Sequence, residues 1–134
     1  MEGEMMECAC IVDADIDGIG PEFLNEERPV AQKEHKCTEC GRIIQVGEEY
    51  MRETGKWDGR IATYKTCTDC SSIRRELVCN FWYGMILEDL RETIRDCDGE
   101  VSEDCLAPLT PRARAMVCEM IEEVWEGMEE EDDE

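Results

Sequence analysis

Cys37-Thr-Glu-Cys40 and Cys67-Thr-Asp-Cys70 are two CxxC pairs with 26 residues between them. Each pair sets two thiolates on one side of a tight turn, and two such turns facing each other close a tetrahedral shell of four sulfurs around Zn²⁺. Gly41 follows the first pair and frees the backbone after the knuckle. The second pair lies where a helical pattern begins, with Cys70 opening the helix, whose positive end favours thiolate over thiol.

The intervening residues read as a hairpin. Ile43-Ile-Gln-Val-Gly-Glu-Glu-Tyr-Met-Arg-Glu-Thr54 is a short strand, a turn at Gly47 and a second strand. Gly55-Lys-Trp-Asp-Gly59 is turn chemistry, since Asp-Gly accepts the positive φ of a tight hairpin, and Arg60–Thr66 returns rich in β-branched and aromatic residues. Knuckle, hairpin, then two ligands at a helix start is a treble-clef-like order. The expected class is therefore α+β: a small zinc-stapled β-hairpin followed by a C-terminal helical segment.

Beyond Cys70 the period turns helical, with Ile73, Leu77, Phe81 and Gly84 on one stripe and Ile86, Leu90 and Ile94 continuing nearby. Gly84 marks a kink or a break between two helices. Ser102 is placed to cap a short turn over 103–107, and Thr110-Pro111 is a capping hydroxyl followed by Pro at the first helical position. Ala113, Val117, Met120 or Ile121, Val124 and Met128 then form the buried stripe of a final helix. The expected organisation is an acidic irregular N-terminal arm (1–34), the double-CxxC module (35–78), a helical segment packed on it (79–128) and an acidic tail (129–134).

The charge follows the same division. The 134 residues carry 35 acids and 14 bases, a net charge of −21. Residues 1–27 hold nine acids and no base, 115–134 ten acids and no base, and 28–114 only −2. The body is nearly neutral and its ends are acidic, which disfavours direct binding to nucleic acid or anionic membrane, where Lys and Arg supply most of the affinity. No apolar run reaches the ~18–20 residues that cross a bilayer, and the first residues are acidic where a secretory leader would be basic. A cytoplasmic protein is expected. The lone His35, two residues before Cys37, is an exposed neighbour rather than a ligand, and one histidine excludes His-rich zinc hydrolase sites. No Gly-rich phosphate loop, GxSxG or HExxH occurs, so no enzyme is expected.

Ten cysteines with only six leucines make a staple useful to a modest core. Cys8, Cys10, Cys79, Cys97, Cys105 and Cys118 lie outside the two pairs. They read either as small buried apolar residues or, for Cys8, Cys10 and Cys79, as part of a second metal site. Iron is the less favoured metal for the first site, because Ser71 rather than Gly follows the second pair. Asp13-Ala-Asp-Ile-Asp-Gly18 opens like a calcium loop, but Leu24 stands where the bidentate Glu belongs and Gly20 replaces the apolar eighth residue. A solvated acidic turn fits better.

Over residues 33–90 the chain resembles a group of small proteins of bacteriophages and prophages. The resemblance rests on Lys33-Glu-His-Lys-Cys-Thr-Glu-Cys-Gly-Arg-Ile-Ile-Gln-Val-Gly-Glu-Glu-Tyr50, Gly55-Lys-Trp-Asp-Gly59, Lys65-Thr-Cys-Thr-Asp-Cys70 and Cys79-Asn-Phe-Trp-Tyr-Gly84. It implies a zinc site at Cys37, Cys40, Cys67 and Cys70 and no activity. The expected function is then a non-enzymatic, zinc-stabilised acidic protein that binds a host or phage protein, including as an inhibitor or nucleic-acid mimic on a basic nucleic-acid-binding partner. The alternative is a nucleic-acid-binding zinc finger using Arg74, Arg75 and the aromatics Tyr50, Trp57 and Tyr64. Residues 28–75 are +3, but four thiolates with one Zn²⁺ contribute −2 and leave a poor basic footprint.

Overall fold

The structure is a computed structural model that describes residues 8, 11–14 and 21–132, the last five as backbone. Its centre is a two-stranded hairpin, β5 (Tyr50–Trp57) and β6 (Arg60–Cys67), in register from Tyr50↔Cys67 to Trp57↔Arg60. Asp58 and Gly59 turn the chain with φ of 54° and 79°, the left-handed pair that suits the twist of a two-residue hairpin. The hairpin ends on Cys67, which caps α1 (Thr68–Leu77). The architecture is α+β, with small sheets, a knuckle and hairpin at the four cysteines, and a long C-terminal helix.

Two strands fall inside the stretch expected to be irregular. β2 (Phe23–Glu27) adds antiparallel to β5, so the sheet order is β2-β5-β6. All five of its residues are exposed, so no alternation of burial advertises it in the sequence. The backbone ladder holds it, with Glu27 on Arg52 and Glu22 on Lys56 across the edge. β1 (Val12–Asp13) pairs parallel with β7 (Val78–Asn80). That pairing breaks the helical period: Val78 turns extended, and Phe81 lies in a connection rather than on a helix. Gly84, at φ 87°, separates α1 and β7 from α2 (Ile86–Asp96), so it is a break and not a kink.

Two-residue strands β3 (His35–Lys36) and β4 (Ile43–Ile44) flank the first knuckle. Ser102 caps α3 (Glu103–Leu106) through its hydroxyl, and α4 spans Pro111–Asp132. α4 thus extends to residue 132, within the acidic tail of 129–134.

The interior is in two parts. The larger packs Ile73 and Leu77 of α1, Ile86, Leu90 and Ile94 of α2, and Ala113, Val117, Met120 and Ile121 of α4 against Ile11 and Val12. The i, i+4 spacing of these aliphatics builds the three-helix contact. The smaller holds Ala31, Cys37, Ile44, Tyr50, Cys67 and Cys70. On the inward face of the sheet, Glu53 is 1% exposed and accepts from Arg74 at 2.7 Å and from the Tyr83 hydroxyl at 3.0 Å. Tyr83 stacks on Tyr64 and meets Trp57 edge-on, roofing this buried charge pair.

Candidate metal centre

The first knuckle closes when Gly41 N–H donates to the Cys37 carbonyl (3.0 Å) and Cys37 N–H donates to the Arg42 carbonyl (2.9 Å). Gly41 takes φ 78° at this point, a conformation that a side chain would strain. Thr38 straps the knuckle to β6, its N–H donating to the Lys65 carbonyl at 2.7 Å and its hydroxyl accepting from Lys65 N–H at 3.2 Å. The second pair stands on the first turn of α1. Here Cys67 is the capping residue, and its sulfur accepts from Cys70 N–H at 3.5 Å.

These elements bring the sulfurs of Cys37, Cys40, Cys67 and Cys70 within 4.8 Å of one another, with Cys40 and Cys67 at 3.9 Å. A tetrahedron with Zn–S bonds of ~2.3 Å has edges of about 3.8 Å. The four cysteines can hold a metal ion, and among the described residues they are the group of His, Cys, Asp and Glu close enough to do so. Three of them are fully buried and Cys40 is partly so.

The electrostatics fit a cation. Hydrogen bonds from Cys67 and Cys70 hold the Cys37 thiol down to about 3. Hydrogen bonds to Cys37 and Cys67, then burial, push Cys70 strongly up. A buried thiolate therefore opposes the ionisation of its neighbour, and only a cation among the four sulfurs lets all of them ionise. The surroundings suit the residual −2 of such a centre. Arg42, held protonated first by its hydrogen bond to Glu48, feels Cys67 as well. Its buried Nε makes no hydrogen bond to oxygen or nitrogen and lies 3.6 Å from Asp69 Oδ2, so it faces both that carboxylate and the sulfur of Cys67. Arg112 lies against Cys40 and Asp69.

Comparison with protein-family models, curated proteins and solved structures returns no match. What the centre does must be read from its own residues.

The second variable residue of each CxxC has a task that spacing rules did not foretell. Glu39, between Cys37 and Cys40, accepts from Gly84 N–H at 2.7 Å and Ile86 N–H at 3.1 Å, so it caps α2 from the knuckle. Asp69, between Cys67 and Cys70, accepts from the Thr110 hydroxyl at 2.7 Å and from Arg112 at 3.1 Å, at the start of α4. The starts of α2 and α4 are thus both tied to the metal loops. For α2, whose own cap residue Met85 offers no side-chain acceptor, the acidic residue inside the first CxxC is the available clue.

Other candidate residues are placed differently. His35 lies outside the sulfur cluster, with its ring 5.0 Å from that of Tyr50. Cys8 and Cys105 form a disulfide and Cys79 is also disulfide-bonded, so Cys8 and Cys79 are not thiolate ligands of a second metal. Neither reading of these cysteines anticipated a bridge: Cys8 and Cys105 are 97 residues apart, and no spacing rule pairs cysteines so distant. Cys10 lies outside the described residues, as does most of the calcium-like segment, whose Asp13 accepts from Asn80. The guanidinium of Arg74 is 11% exposed and engaged by Glu53, Tyr50 is 3% exposed, and Arg75 pairs with Glu76. Arg74 and Tyr50 are therefore largely withdrawn from solvent, whereas Arg75 is exposed and Trp57 and Tyr64 are half-buried. No described helix is long and apolar enough to cross a membrane.

Proposed function

We propose that this chain is a non-enzymatic, zinc-stabilised protein of phage or prophage type that binds another protein, a host or phage protein with a basic surface. The observation that carries this reading is the closed sulfur cluster. Four cysteines fill every position of a tetrahedral shell and three are buried, which leaves no position for water or substrate and gives the metal a structural task. Zinc is favoured over iron because the second pair sits on a helix, with Ser71 where a second knuckle would carry Gly.

Acidic ends of −9 and −10 suit a basic partner. Glu119, Glu122, Glu123 and Glu126 are exposed on α4, and carboxylates on a regular helix support the sharper version in which they stand in for nucleic-acid phosphates. The test is capture of a partner by metal-loaded protein, with metal content measured alongside. One zinc per chain and salt-sensitive capture that weakens on deleting 1–7 and 129–134 are expected. A metal-free chain that keeps its fold, or capture indifferent to salt and to both deletions, overturns the reading.

A further inference from the structure

We propose that the cleft between α4 and the 99–107 segment docks a basic, amphipathic peptide segment of the partner; this rests on the protein-binding reading above. The cleft measures about 720 Å³, within the range that takes a few side chains. Its floor is apolar, built from the buried Leu106 and Ile121 with Val101 and Cys118 beside them.

One wall is Trp125, which is 50% exposed. Its indole N–H donates to the Asp98 carbonyl at 3.1 Å. The ring lies directly on Gly99, where a Cβ would stand 2.6 Å from Nε1. A large aromatic surface is therefore held in place before any ligand arrives, which removes the ordering cost that a free side chain imposes on binding.

The rim carries Glu100, Glu103 and Glu122, all exposed. Its one cation, Arg114, is committed to the carbonyls of Leu106, Ala107 and Leu109. The cleft also lies in the acidic half of the chain: residues 76–134 carry nineteen acids and four bases, whereas 28–75 are +3. Apolar floor, aromatic wall and carboxylate rim together suit a lysine or arginine. The stem of such a side chain packs below, and its head meets carboxylates and the indole face. A second copy of this chain, or its own acidic arm, would bring like charge to the rim.

The test uses the full, metal-loaded chain and two synthetic peptides with the same apolar residues, one carrying lysines and the other glutamates. Binding is followed by the indole N–H resonance of Trp125, assigned with Trp125→Phe. The lysine peptide should shift that resonance and the amides of 99–107, and the glutamate peptide should not. Glu100→Gln, Glu103→Gln and Glu122→Gln together should weaken the lysine peptide by about tenfold or more and flatten its salt dependence, with zinc content unchanged. Equal binding of both peptides, shifts elsewhere, or concentration-dependent shifts without peptide would overturn the proposal. The two readings fail separately. A captured partner that ignores Trp125→Ala and the three glutamine substitutions overturns the cleft alone. A lysine peptide seated in the cleft with no protein partner found overturns the protein-binding reading alone.

Discussion

In the metal module the buried interior consists of Ala31, Ile44, Tyr50 and three cysteines. In the helical lobe it consists of Ile73, Leu77, Ile86, Leu90, Ile94 and the α4 stripe, aliphatic almost throughout. The lobe can hold itself by apolar burial, at roughly 1.5–3 kcal/mol for each large side chain. The module cannot, because half of its core residues are thiols whose joint ionisation requires a cation. The difference teaches where each region is vulnerable. Glu39 and Asp69 add a link between them, since they carry the metal loops onto the starts of α2 and α4.

The strongest way to break the comparison is to remove the metal. A structural zinc contributes on the order of 10 kcal/mol to such a module. Chelation, or Cys67→Ser, should therefore unfold the β5–β6 hairpin while most of the helical signal survives. Hydrogen exchange reads this directly: amides of Tyr50–Cys67 lose protection, and those around Leu90 and Val117 keep most of theirs. Uniform loss would make the two regions one cooperative unit.

The opposite break acts on the lobe. The Cys8–Cys105 bridge ties Cys8, ahead of β1, to α3 across 97 residues of chain. Cys8→Ser with Cys105→Ser should destabilise the lobe by about 2–5 kcal/mol and leave the zinc stoichiometry unchanged. Urea unfolding with metal analysis checks both halves of that statement. Loss of zinc in this variant would show that the lobe holds the module together, reversing the dependence.

What could be read beforehand follows the same line. The module was legible because its information is local: paired CxxC spacing, Asp58-Gly59, and a β-branched run ending at the second pair. The helices were legible where aliphatics recur at i, i+4, as in Ile86, Leu90 and Ile94. What escaped depends on partners distant in the chain. β2 has no buried face, β7 exists because β1 reaches it, and the Cys8–Cys105 bridge spans most of the sequence. That Cys67 caps α1 was not legible, because a thiol sulfur there takes the place of the usual capping hydroxyl. Glu53 reads as one more surface acid until Arg74 and Tyr83 arrive over it.

A smaller effect sharpens the link between the regions. Glu39→Ala leaves the Gly84 and Ile86 N–H groups at the start of α2 without their acceptor, at about 1 kcal/mol. In the metal-loaded chain that loss should appear in urea unfolding followed at the helical signal. After chelation the knuckle no longer presents Glu39, so the variant and the parent should unfold alike. A loss of the same size in both states would mean that Glu39 acts on α2 without the metal loop.

The smallest effect concerns charge around the centre. Glu48 engages Arg42 through both carboxylate oxygens, at 3.1 and 3.2 Å, and accepts from Gln45 N–H at 2.7 Å. The Arg42 hydrogen bonds hold its carboxyl below the usual value of 4.5. A lowered carboxyl contributes stability that is fully present above 4.5 and fades as pH falls through the folded value. The Glu48 side chain is more than a third exposed, so solvent screening limits this to a few tenths of a kcal/mol. The parent should exceed Glu48→Gln by that margin at pH 7, and the gap should close on acidification, with metal content read at each point. Glu123 of the lobe, paired with Arg91 at 3.8 Å with both side chains about half exposed, is the control: Glu123→Gln should change nothing measurable. If the two substitutions behave alike, the Arg42–Glu48 pair is an ordinary surface contact and the metal centre does not depend on it for its balance of charge.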